Sequence, residues 1–320
     1  MAQQNANFDD VITSSIRNSK KSIQDLIYNH NYTFKMMDEL GFTREQSGGY
    51  EIQENLMFEE NSTVRSFSRW DLLDNSPQDT VTAAQFEWKQ VAGSVTIDHF
   101  TEFQNSGASE KIFDLLEAKI MQLQISMATY FNEKWLSGDG TGNGGKDIPG
   151  LALFVEEGTA WSTVGNINSS TYSQWRNQWT GSVGSFASNG ADAMRAMYNS
   201  CSSGIAKPKI ILTTQAVFQY YEKLVQSQYR SMDLKKADIG YTNILFKETP
   251  VMFDEDIIAG YMYFLNPTFM RLVYGKGKKF AISSFMQPIN QDGKVAHCIV
   301  YLTPTINHRA RQGVLTGITA

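Results

Sequence analysis

The chain has 320 residues, 42% of them hydrophobic, enough for a sizeable core and against disorder as its dominant state. Only 19% are charged and the formal net charge is -5, which argues against an electrostatic grip on nucleic acid and suits a surface that meets protein neighbours. Its two cysteines, Cys201 and Cys298, build no disulfide framework. The opening MAQQNANFDD lacks the basic and apolar parts of a secretory signal, and no apolar run approaches the roughly 20 residues of a membrane span. Synthesis in the cytoplasm, away from membranes, is the expectation.

Residues 1–45 carry a mixed helical pattern. Ile12, Ile16, Ile23, Leu26 and Ile27 are spaced for a short amphipathic helix around 21–38, after a polar, extended start. Gly48-Gly49 closes the segment, and the period becomes alternating. Tyr50, Ile52, Leu56 and Phe58 predict a strand, a second extended run carries Val64, Phe67 and Trp70, and the turn residues of LLDNSPQD form a tip. The return run VTAAQFEWKQVAGSVTID sets Phe86 and Trp88 on one face, then shifts phase to Val91, Gly93, Val95 and Ile97, which predicts a bulge or bend near 89–93. Such a long two-stranded hairpin is marginal alone in water, so it is expected to lean on another surface, such as a neighbouring subunit.

The clearest element follows. Ile112, Leu115, Leu116, Ile120, Leu123, Met127, Tyr130 and Phe131 keep a 3.6-residue period, with Ser109 as N-cap and Gly138 as terminator. A helix over 109–137 would span about 40 Å. Beyond it the pattern is α/β. Helices are expected near 171–179 and 190–201. PKIILTT is a buried strand leading through Thr213 or Thr214 into the helix QAVFQYYEKLV. Short strands follow near 244–246, 250–253, 262–265 and 271–274, then late strands in KKFAISSFM and KVAHCIVYLTPTI. No internal repeat or linker divides the chain.

Several stretches tempt a catalytic reading. GTGNGGKD, from Gly140 to Asp147, matches a Walker A loop until Asp147 replaces Ser or Thr. A phosphate loop follows a strand and opens a helix, whereas this one follows a helix and precedes Ile148-Pro149-Gly150. DGTGNG at 139–144 resembles the start of a calcium loop, but Gly150 stands where the bidentate Glu belongs. His30, His99, His297 and His308 are scattered, and neighbouring His297 and Cys298 point to opposite faces of a strand. No GxSxG elbow is present. Asp254-Glu255-Asp256 reads as a solvated turn or an intersubunit charge pair, and Lys276, Lys278 and Lys279 form a weak basic footprint. No catalytic, cofactor or metal site is expected.

The order of parts resembles the major capsid proteins of tailed bacteriophages, the Hong Kong 97-type fold. The blocks NSPQDTVTAAQFEWKQVAGSVTI, LLEAKI, GDGTGNGGKDIPGL, STYSQWRNQW, ILTTQAVFQYYEKL, VMFDEDIIAGYMYFLN and RQGVLTGI are similar to stretches of one branch of that family. The resemblance implies an α+β chain: an N-terminal arm at 1–45, an extended β-hairpin loop at 46–95, a peripheral domain with a long spine helix at 96–148, and an axial α/β domain at 149–277. Return strands at 278–311 rejoin the peripheral domain, and 312–320 end beside the axial one. It implies no enzyme activity and no cofactor, but self-assembly into hexamers and pentamers of an icosahedral shell around double-stranded DNA, contacted weakly and nonspecifically. Separate scaffolding, portal and decoration proteins are implied partners; the place is the virion, assembled in the host cytoplasm. Contact candidates are Trp70, Leu72, Leu73, Asp74, Pro77 and Asp79 at the tip, then Asp254, Glu255, Asp256, Lys278, Lys279, Arg309 and Arg311. Lys89 is the only lysine between 46 and 95, away from the tip, so the family prototype's lysine-to-asparagine cross-link is not expected. An encapsulin-like shell and a nucleotide-dependent enzyme are the alternatives.

Overall fold

The computed structural model describes residues 41–58, 60–100, 115–229, 244–279 and 281–320; the helix expected at 21–38 and the helix start at Ser109 lie outside them. The first strand, β1 (Thr43–Gln46), is followed by Gly48 and Gly49 at φ of 131° and 119°, where any other residue would be strained. In β2 (Glu51–Met57), Ile52, Glu54 and Leu56 are buried while Gln53, Asn55 and Met57 are exposed, the alternation of a strand covered on one face. It pairs antiparallel with β3 (Val81–Glu87), from Glu51 opposite Glu87 to Met57 opposite Val81. The second extended run expected at Val64, Phe67 and Trp70 forms no strand, since residues 60–80 run as turns and irregular chain.

The bend falls at Trp88, just before the window expected for it. Thr303 holds the corner: its hydroxyl donates to Glu87 O at 2.6 Å and accepts from Lys89 N at 3.0 Å, while the Trp88 indole donates to Gly49 O at 3.0 Å. As a result β4 (Lys89–Asp98) leaves the hairpin and pairs with a strand some 200 residues later in the chain, Gly93 lying opposite Cys298. Gly93 is a packing position, because a Cβ there would lie 2.4 Å from Leu123 Cδ1.

Leu123 belongs to α1 (Leu115–Ser137), whose Met127, Phe131 and Trp135 recur at four-residue steps and are buried against the hairpin root. After a helical turn at Leu151–Phe154 come β5 (Thr163–Val164) paired with β6 (Ile167–Asn168), then β7 (Gln178–Thr180) and β8 (Gly184–Ser185). The helix expected near 171–179 is only a 3-10 turn at Ser173–Trp175 before β7, pinned by the Trp175 indole on Val164 O at 3.0 Å.

The helix expected near 190–201 is α2 (Ala191–Cys201), and PKIILTT forms β9 (Ile210–Thr213) leading into α3 (Gln215–Tyr229). Short strands β10 (Leu245–Phe246), β11 (Thr249–Phe253) and β12 (Met262–Leu265) follow. Ile210 and Leu212 join the core shared with α1, whereas Ile211 joins the core under α2 and α3. A strand buried on both faces needs that continuous apolar run.

The last strands are β13 (Met270–Gly275), β14 (Ala281–Ile282), β15 (Gly293–Ile306), β16 (Gly313–Leu315) and β17 (Ile318–Thr319). One sheet runs β1-β13-β15-β14, with β4 also on β15; a second, six-stranded, runs β10-β11-β9-β12-β16-β7, and β2-β3, β5-β6 and β8-β17 are separate pairs. β13 lies in the same sheet as the late strands, paired with β15 from Met270 opposite Ile306 onward.

Candidate assembly surface

The hairpin has two unequal parts. At its root, Ile52, Leu56 and Phe86 are buried with Phe154 and Trp135 of the main core. Beyond Met57 and Val81 the same chain turns apolar side chains to solvent: Val64 is 82% exposed, Phe67 67%, Trp70 92%, Leu72 87% and Leu73 60%. Single exposed apolar residues are ordinary, but a run of this density makes the segment a candidate interaction surface.

What orders this limb is internal to it. Ser62 Oγ bonds Gln78 Oε1 at 3.0 Å across the ribbon, Asp71 accepts from Ser68 N at 2.7 Å, and Arg65 donates to Leu72 O. Asp74 caps its own turn through the amide and hydroxyl of Ser76, which hold its carboxyl below the usual carboxylate range. Asp79 and Pro77 are exposed beside it. Among the described residues no hydrogen bond or ion pair ties 60–80 to anything outside the hairpin.

The other contact candidates scatter. Asp254 is buried, and with Asp256 it accepts from Asn132 Nδ2 of α1 at 3.2 and 2.8 Å, so these carboxylates tie the turn after β11 to the long helix within one chain; only Glu255 of the three is exposed. Lys278 and Lys279 are exposed on the turn after β13. Arg309 is no surface group at all: its side chain is fully buried, paired with Glu156 Oε2 at 2.8 Å and donating to Phe154 O at 3.0 Å. Burial lowers its pKa from the usual arginine value, and the Glu156 carboxylate opposes that shift. Arg311 beside it is partly exposed. Sequence reasoning takes an arginine for surface, and nothing local marks Arg309 as the exception.

GTGNGGKD is a corner. Asp139 accepts from Thr141 N at 2.9 Å, Asp139 and Pro149 form a β-bridge, and Asn143, Gly144 and Gly145 hold positive φ of 50°, 67° and 81°. Asp147 is paired with Lys134 Nζ at 3.2 Å, at the carbonyl end of α1. A phosphate would meet a carboxylate and a negative dipole end there.

No group of three or more His, Cys, Asp or Glu able to hold a metal occurs among the described residues. Burial pushes the Cys201 thiol to about 12, and burial raises Cys298 as well, so neither is a ready nucleophile. A cleft of about 560 Å³ at the outer end of the β2–β3 ladder is lined by Leu56, Phe58, Tyr172, Trp175, Asn307 and His308. Its titratable groups are Tyr172 and His308, and burial depresses His308. No helix among the described residues is long and apolar enough to cross a membrane.

Solved structures share this arrangement across nearly its whole length. The capsid of cyanophage A-1(L) superposes with a TM-score of 0.66 at 18% identity, covering 89% of this chain and 93% of its own. The capsid of an empty GTA particle gives 0.60 at 11%, covering 87% and 94%. The fold is that of the Hong Kong 97-type capsid proteins. An encapsulin, the holo-SrpI complex of Synechococcus elongatus, gives 0.59 at 10% identity, covering 99% and 96%. No protein-family model matches the sequence, and no curated protein is similar to it.

Proposed function

We propose that the chain is the major capsid protein of a tailed double-stranded DNA bacteriophage, self-assembling through hexamers and pentamers into the icosahedral head shell. The observation that carries this reading is the hairpin limb at 60–80, apolar, exposed and unsupported by the rest of its own chain. An apolar limb without strand pairing of its own, at the end of a two-stranded hairpin, gains stability against another surface, and overlapping arms add to a per-contact interface of roughly 1,600 Å². On this reading 1–45 is an N-terminal arm, 46–95 the extended loop, and 96–148 with 278–311 the peripheral domain, which also takes β13. Residues 149–269 form the axial domain, and 312–320 return to it through β16 and β17. GTGNGGKD is then the corner between the two. The chain does no chemistry of its own. Scaffolding, portal and decoration proteins are separate partners, and a weakly acidic surface leaves packaged DNA loosely held.

The encapsulin similarity supports a second reading, a shell around an enzyme cargo, because that structure matches over 99% of the chain. Purified particles discriminate the two: extracted double-stranded DNA supports a head, a protein cargo without DNA supports a nanocompartment, and stable monomers that hydrolyse ATP overturn both.

A further inference from the structure

The return limb of the hairpin, residues 71–79, holds Asp71, Asp74 and Asp79 and no lysine or arginine, while Arg65 and Arg69 sit on the outgoing limb. A complementary surface lies elsewhere in the chain. The turn after β13 carries Lys276, Lys278 and Lys279, all exposed and in no ion pair among the described residues. Lys278 Nζ rests 5.8 Å from the Tyr301 ring centroid and Lys279 Nζ 4.9 Å from that of Tyr274, contacts that position the ammonium groups without neutralising them. Beside this turn a cleft of about 310 Å³ is lined by Lys276, Lys278, Trp88, Tyr301 and the Gly48-Gly49 pair.

One copy cannot join these surfaces. Gly49 and Trp88 mark the root of the hairpin, and the ladder runs away from them, from Glu51 opposite Glu87 to Met57 opposite Val81. Six residue steps at about 3.4 Å make the ladder itself about 20 Å long, and residues 71–79 follow its far end. Among the described residues no hydrogen bond or ion pair joins 60–80 to the basic turn, so the opposite charges are left to meet between copies.

We infer that residues 71–79 of one copy dock on the Lys276, Lys278 and Lys279 turn of the next, Leu72 and Leu73 entering the cleft between Trp88 and Tyr301. The contact rests on the shell reading and supplies the register of the overlap: the carboxylates steer and orient, and the leucines provide the apolar area. Because both partners are exposed, the contact weakens with added salt.

Charge reversal on each side tests it. Asp71→Lys, Asp74→Lys and Asp79→Lys together, or Lys276→Glu, Lys278→Glu and Lys279→Glu together, each lower particle yield by about ten-fold or more, and the chain carrying all six recovers most of it. All six positions are exposed, so the subunits stay folded, checked by circular dichroism. Unchanged yield from either triple variant, or no recovery in the combined one, overturns this contact while leaving a shell intact. Absence of particles from the unaltered chain overturns the shell reading and the contact together.

Discussion

Arg309 and Glu156 form an ion pair of 2.8 Å in which the guanidinium is fully buried, at the point where the chain passes from β15 to β16 and so from one sheet to the other. Arg309 Nη1 also donates to Ser169 Oγ at 2.6 Å and Nη2 to Asn177 Oδ1 at 3.3 Å, so one side chain fastens the crossover to three segments. Replacing it leaves the largely buried Glu156 carboxylate without its cation, with Ser162 as its remaining donor. Arg309→Met is expected to destabilise the dissociated subunit by about 3–5 kcal/mol in urea unfolding. A loss under about 1 kcal/mol, the scale of a solvated surface pair, contradicts the role given to it.

Gly144 lies inside the GTGNGGKD corner and Gly150 just after it, and the two should respond differently. A Cβ on Gly150 would lie 2.2 Å from Lys134 O and 2.4 Å from Trp135 O, backbone atoms at the end of α1 that cannot yield alone. Gly144 has open space around it and only a φ of 67° to defend. Gly150→Ala is expected to cost about 3 kcal/mol or more, and Gly144→Ala about 1 kcal/mol. Urea midpoints in the reverse order contradict the packing described for the corner.

His308 sets a pH dependence. Desolvation, reinforced by Arg311, lowers its folded pKa below the usual 6.5, so the unfolded chain binds its proton first as pH falls. Stability from this group is therefore complete above about pH 6.5 and lost as pH drops from there through the folded pKa. His308→Gln should flatten the melting temperature between about pH 7 and 5 relative to the unaltered chain. Parallel curves for the two proteins contradict it.

Local periodicity carried much of the fold. Ile52, Leu56 and Phe86 announce the hairpin, and the four-residue recurrence of Leu123, Met127 and Phe131 announces the helix, because each signal repeats within one element. Pairing of β4 with β15 was invisible, since the register of Gly93 with Cys298 depends on residues some 200 positions apart. For the same reason β13 reads as a neighbour of β12, its predecessor in sequence. At the candidate assembly surface, Trp70, Leu72 and Leu73 are legible as apolar residues stranded among turn formers. Arg309 and Asp254 were not, because charged side chains announce burial only when their partners, Glu156 and Asn132, are known.

Deleting residues 70–79 removes the most exposed part of the hairpin and no buried side chain. The shortened chain should stay soluble and folded, with a melting temperature within a few degrees of the dissociated parent, while closed particles disappear. Normal particles from it would count against an overlap made by this limb.

An electron micrograph of the purified unaltered chain, with sedimentation on the same sample, is expected to show closed shells of many copies, built from rings of six and five. A uniform population of monomers or dimers, with no particles under any assembly condition, would contradict the shell reading.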